Sequence, residues 1–115
     1  MMSLVIWHNP RCSKSRQTLA ILEEKGLSPE VRLYLEDAPS VDEIKTALTQ
    51  LGKAPREIMR TGEADYKEQG LKDVEDDAAL VEAMHNTPKL IERPIVFKDD
   101  QARVGRPPES VLEIL

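Results

Sequence analysis

At 115 residues and a formal net charge of −5, the chain has the length of one domain and no basic tract, which argues against broad nucleic-acid binding. No apolar run approaches the roughly 18 residues needed to span a bilayer, and the first residues lack the basic-then-apolar pattern of a secretory signal. A single cysteine forms neither an internal disulfide nor, by itself, a zinc site, and a cytoplasmic, reducing home is the simplest expectation.

In chain order, Ser3 to Trp7 is short, β-branched and apolar on both faces, which predicts a buried strand. His8-Asn9-Pro10 reads as a loop. A helix follows, with Ser13 or Ser15 as its cap, an end near Lys25 and Gly26 as a left-handed stop. Val31 to Leu35 alternates apolar residues with Arg32 and Tyr34, which predicts a second strand. Ser40 and Glu43 have capping-box spacing. The helix they start carries Val41, Ile44, Leu48 and Leu51 on one face, and Gly52 ends it. Residues 55–87 are charged and rich in helix formers, predicting two or three short helices, the last with Leu80, Val81 and Met84 inward. The acidic stretch Asp73 to Asp77 reads as a solvated turn and helix start. Ile95-Val96-Phe97 and Ala102-Arg103-Val104 flank a polar turn and predict a hairpin. Pro107 and Pro108 open a closing helix with Val111, Leu112 and Leu115 as its apolar face.

The stretch WHNPRCSKSR, Trp7 to Arg16, holds the only cysteine, Cys12, together with His8, Arg11, Lys14 and Arg16. A cysteine between a strand and a helix sits where amides point outward and the dipole is positive. Such surroundings lower a thiol pKa from about 8.5 into the range of roughly 3.5–7.5. The same amides suit an oxyanion. The competing reading, a buried cysteine acting as a small hydrophobe, fits poorly with so many polar neighbours. His8 has two open readings: it raises thiolate character, or it only bonds the loop. His85, near a helix C-terminus, reads as a dipole partner.

The order βαβ, helical segment, ββα, with a reactive cysteine after the first strand, predicts an α/β thioredoxin-like fold around a mixed four-stranded sheet. Residues 1–115 then form a single domain with a helical insert at about 40–87. Such domains carry a proline, usually cis, facing the thiol, and Pro94 sits just before the third strand, where that proline belongs.

HNPRCSKSR, ERPIV and ARVGRPPE, in this order and spacing, resemble the ArsC family of glutaredoxin-dependent arsenate reductases, along nearly the whole chain. The resemblance implies Cys12 as nucleophile, His8 and Ser15 as groups that help its thiolate form, and an oxyanion site of Arg60, Arg93 and Arg106. Guanidinium groups match arsenate oxygens with forked, permanently charged donors. Taken alone, Arg60 reads as a surface helix residue rather than a site residue. Lacking a second cysteine, the chain needs an external thiol, and the resemblance implies glutathione and then glutaredoxin, with no bound metal or organic cofactor because the sulfurs carry the electrons. The expected partners are thus arsenate or a similar oxyanion and these thiols, for a monomer that binds neither nucleic acid nor membrane.

Three other readings compete with this one. A low-molecular-weight phosphatase needs Arg six positions after its cysteine, and that position is Thr18. A polymerase-binding, Spx-like regulator usually carries a CxxC switch, where this chain reads Cys12-Ser13-Lys14-Ser15. A monothiol oxidoreductase with another substrate would share the fold and the thiol chemistry. The Ser-Lys pair after Cys12 departs from the small residues of the best-known branch of the family, which bears on the substrate rather than on the fold.

Overall fold

The computed structural model describes residues 4–115; Ser3, the predicted start of the first strand, lies outside the described residues. The chain divides into two compact units. One comprises the described residues up to Asp37 with Arg93–Leu115, and the other Ala38–Glu92.

The first unit contains a four-stranded sheet in the order β2-β1-β3-β4, built from β1 (Leu4–Trp7), β2 (Glu30–Arg32), β3 (Ile95–Lys98) and β4 (Gln101–Val104). β1 runs parallel to β2 and antiparallel to β3, and β3 pairs antiparallel with β4. Helix α1 (Ser13–Glu24) connects the parallel pair. This is the thioredoxin-like βαβ/ββα arrangement. Its core joins Ile6 and Val96 of the sheet, Leu22 of α1, and Val111 and Ile114 of the last segment. Trp7 and Phe97 are diagonal neighbours across β1 and β3, with ring centroids 4.8 Å apart at a tilted 54°. The hairpin turn is Asp99-Asp100, tight enough that Asp99 takes φ 55°.

Three local expectations need correction. α1 is capped at Cys12, not at Ser13 or Ser15, and Ser15 lies inside the first turn, fully buried. β2 is shorter than Val31 to Leu35 and its alternation is inverted: Tyr34 is buried, whereas Val31, Leu33 and Leu35 are exposed. The closing segment is a 3-10 helix, Pro108–Ile114, that buries Pro108, Val111 and Ile114 and exposes Leu112. Three residues per turn puts 108, 111 and 114 in one row, which a 3.6 period does not.

In the second unit, α2 (Val41–Leu51) starts with the predicted capping box: Ser40 Oγ accepts from Glu43 N at 3.1 Å and Glu43 Oε1 accepts from Ser40 N at 2.9 Å. Gly52 ends it in the left-handed conformation. α3 (Ala64–Glu68) and α4 (Asp77–Asn86) follow, separated by short 3-10 turns. Asp76 caps α4 by accepting from Ala78 N, and Leu80, Val81 and Met84 are buried as predicted. Arg56 donates to the Tyr66 hydroxyl and to the carbonyls of Leu71 and Val74, tying this irregular stretch together. No helix among the described residues is long and apolar enough to cross a membrane.

Candidate active site

β1 delivers the chain to His8, whose N–H donates to Arg32 O at 2.9 Å. The next four residues form a loop organised by Asn9. Asn9 Oδ1 accepts from Arg11 N at 3.0 Å, Asn9 O accepts from Cys12 N at 3.0 Å, and Asn9 N donates to Ser15 Oγ at 3.0 Å. The Asn side chain thus mimics a backbone turn. In the sequence Asn9 is an ordinary loop residue, and the one signal of its role is an Asx side chain two positions before Arg11. Arg16 Nη1 clamps the loop from the other side by donating to Pro10 O at 2.9 Å.

Cys12 emerges as the N-cap of α1 with extended backbone, at 9% exposure. The residue is buried, as the competing hydrophobe reading expects, yet its sulfur meets a guanidinium. Arg106 Nη2 donates to Cys12 Sγ at 3.7 Å across 94 sequence positions. That guanidinium is held from behind: Arg106 Nε donates to Arg93 O at 2.9 Å. The neighbouring backbone is tied to the proline segment, with Gly105 N donating to Pro94 O at 2.8 Å. Gly105 is pressed so closely there that an added Cβ would lie 2.5 Å from Thr18 Oγ1 and 2.7 Å from Pro94 Cγ. The Arg93–Pro94 and Arg106–Pro107 bonds are both cis. Arg93 is half-buried, with Nε and Nη1 shielded from solvent.

His8 and Ser15 form a buried pair, His8 Nδ1 to Ser15 Oγ, at 2.7 Å. Burial first, and then the positive charge of Arg16, holds the His8 pKa below its usual 6.5. His8 is therefore neutral at pH 7. Ser15 Oγ also accepts from Asn9 N, so one hydroxyl ties the loop backbone to the imidazole.

Of the residues expected at the site, Cys12, His8, Ser15, Arg93, Pro94 and Arg106 are all in the first unit. Arg60 belongs to the second, where its guanidinium pairs with Glu63 and its N–H donates to Leu90 O at 2.7 Å. His85 Nδ1 lies 2.8 Å from Pro39 O. Among the described residues no group of three or more His, Cys, Asp or Glu is placed to hold a metal ion.

A single cysteine at the helix start of a thioredoxin-like sheet, with an arginine on its sulfur, defines a thiol protein of that superfamily. The ArsC family model matches residues 7–114, and the chain belongs to the ArsC family. It is 52% identical over 112 residues to the uncharacterized protein YfgD of Escherichia coli K12, covering 96% of this chain and 94% of that one. It is 48% identical over 116 residues to an arsenate reductase of Haemophilus influenzae, covering 99% and 100%. Among solved structures, an arsenate reductase from Vibrio cholerae superposes with a TM-score of 0.96 at 58% identity, covering 99% of this chain and 98% of that one.

Proposed function

We propose that the protein reduces arsenate to arsenite through an adduct on Cys12. The observation that carries this reading is the contact of Arg106 Nη2 with Cys12 Sγ at 3.7 Å. One guanidinium then faces both the sulfur and any tetrahedral anion beside it. Such a group stabilises a thiolate before reaction and the departing negative charge during it.

In this reading the Cys12 thiolate attacks arsenic in bound arsenate. A sulfur–arsenic bond forms, and one oxygen leaves as water after taking up protons. A thiol from solution, glutathione, supplies the second sulfur. The two sulfurs end as a disulfide, and their two electrons convert As(V) to As(III), released as arsenite. Glutaredoxin then returns Cys12 to the thiol. The sulfurs carry the electrons, so the chemistry requires no metal.

Arg93 is assigned to the oxyanion beside Arg106 because its backbone carbonyl already orients that guanidinium. Arg60 is assigned to it on the motif match alone. The neutral His8–Ser15 pair is assigned the role of fixing the first turn of α1 around the sulfur. Pro94 shapes the same wall through its bond with Gly105. The whole chain is taken as one functional domain working in the cytoplasm, where a lone thiol stays reduced.

A single-turnover assay tests the reading. Arsenate and glutathione should give one equivalent of arsenite per Cys12, and added glutaredoxin should make the reaction catalytic. Turnover by Cys12→Ser, or no arsenite from the wild type, overturns it.

A further inference from the structure

Among the described residues four large apolar side chains are exposed: Val31 at 44%, Leu33 at 37%, Leu35 at 44% and Leu112 at 40%. Single exposed leucines are ordinary. Here Val31 lies in the three-residue edge strand β2, and Leu33 and Leu35 follow just past its end, all within five residues. A cluster of this kind beside a reactive loop marks a contact surface. Leu33 and Leu35 line a cleft of about 190 Å³ whose other walls are loop residues 8–11 and Glu36. Arg11 is the residue before Cys12, so Leu33, Leu35 and the loop carrying the thiol share one depression of the surface.

We propose that the strip Val31, Leu33, Leu35 is the docking surface for a thiol-bearing protein that brings its sulfur to Cys12. The proposal rests on Cys12 being the reacting thiol, as argued above. Cys12 is the only cysteine, so the resolving sulfur comes from another molecule. A small peptide thiol is charged and has little use for Val31, which lies outside the cleft walls. A protein with an apolar rim around its own cysteine covers all three side chains. Exposed Arg11 and Glu36, of opposite sign, give the cleft the polar border such contacts have.

The size of the strip argues against a second copy of this chain as occupant. Three partly exposed side chains supply far less than the ~800 Å² per partner of a stable interface. Transient redox encounters lie at the small end of the range. A partner that must leave after each exchange is better served by a small contact than by a large one.

The test isolates thiol exchange from arsenate. Cys12 is converted to its mixed disulfide with glutathione. Reduced dithiol glutaredoxin attacks the glutathione sulfur, the bond to Cys12 breaks, and Cys12 leaves as thiolate. The second glutaredoxin thiol then expels glutathione, so two electrons pass from glutaredoxin to the disulfide. The second-order rate is measured with glutaredoxin and, separately, with dithiothreitol. Leu33→Glu/Leu35→Glu should lower the glutaredoxin rate tenfold or more and leave the dithiothreitol rate within twofold. Leu33→Met/Leu35→Met should restore it. Leu112→Glu, in a different cleft with Leu4 and Lys98, should change neither rate. An unchanged glutaredoxin rate, or an equal loss with both reductants, overturns the proposal. So does sedimentation showing a wild-type dimer that Leu33→Glu dissociates. Arsenate plays no part in the assay, so failed arsenate turnover with normal, strip-dependent exchange would strike the reaction assigned above and not the docking surface.

Discussion

Arg106 reaches the sulfur of Cys12 with a terminal nitrogen while its Nε is fixed on the carbonyl of Arg93. The two bonds together determine where the guanidinium points. A hydrogen bond to a charged group contributes about 1.5–3 kcal/mol, which corresponds to a factor of roughly 10–150 in rate. Arg106→Ala should therefore slow arsenite formation by about that factor and also slow alkylation of Cys12 at pH 7. Arg106→Lys retains charge without the fork and should fall between the two. Alkylation and turnover that both match wild type in Arg106→Ala would remove Arg106 from the site.

The depressed pKa of His8 has a sign that can be checked. Unfolded, His8 titrates near 6.5; folded, burial and Arg16 hold it lower. Between the two values the unfolded chain binds more protons, so stability rises with pH. This contribution is fully present above about 6.5 and is lost as the pH falls through the folded value. Urea midpoints measured from pH 8 to pH 5.5 should fall more steeply for wild type than for His8→Asn, which keeps an acceptor but does not titrate. Parallel curves would show that His8 is not held neutral.

Ser15→Ala deletes the hydroxyl that accepts from Asn9 N and hydrogen-bonds His8 Nδ1. Both partners are left in a poorly hydrated place, at a cost of about 1–3 kcal/mol. Urea unfolding should show a loss in this range. A loss under 0.5 kcal/mol would mean that water replaces the hydroxyl freely.

Gly105→Ala places a methyl group against Thr18 Oγ1 and Pro94. Thr18 is fully buried and its hydroxyl donates to Lys14 O at 2.9 Å, so it yields poorly. Overpacking of this kind costs about 1–3 kcal/mol. Because Arg106 is the next residue, Cys12 alkylation should slow as well. Adding Thr18→Ala removes the nearer obstacle and should recover part of both losses. Wild-type stability in Gly105→Ala alone would show that the packing here is looser than the distances imply.

Much of this layout could be read from residue order. The strand before Cys12, the capping box of Ser40 and Glu43, the Gly52 stop and the hairpin around Asp99 all follow from local chemistry. The segment Val31 to Leu35 did not, because alternation fixes a period and leaves open which set faces inward. The aromatic Tyr34 took the interior, and the three aliphatic residues went outside. Likewise Val111, Leu112 and Leu115 suit a helix of 3.6 residues per turn, while the buried row 108, 111, 114 needs 3.0. At the site, Cys12 and the arginines are visible as residue types in motifs. Asn9 and Gly105 escaped notice because they act through backbone: one organises amides, and the other lets two segments touch.

The brevity of β2 also affects how the protein behaves at high concentration. An outer strand with sticky side chains is ordinarily a template on which further chains zip into fibres. Here the strand ends at Arg32, and the amides of Glu36 and Asp37 both fold back onto the carbonyl of Leu33. Too few main-chain groups remain in line for lateral growth, so the surface can stay greasy without seeding aggregates.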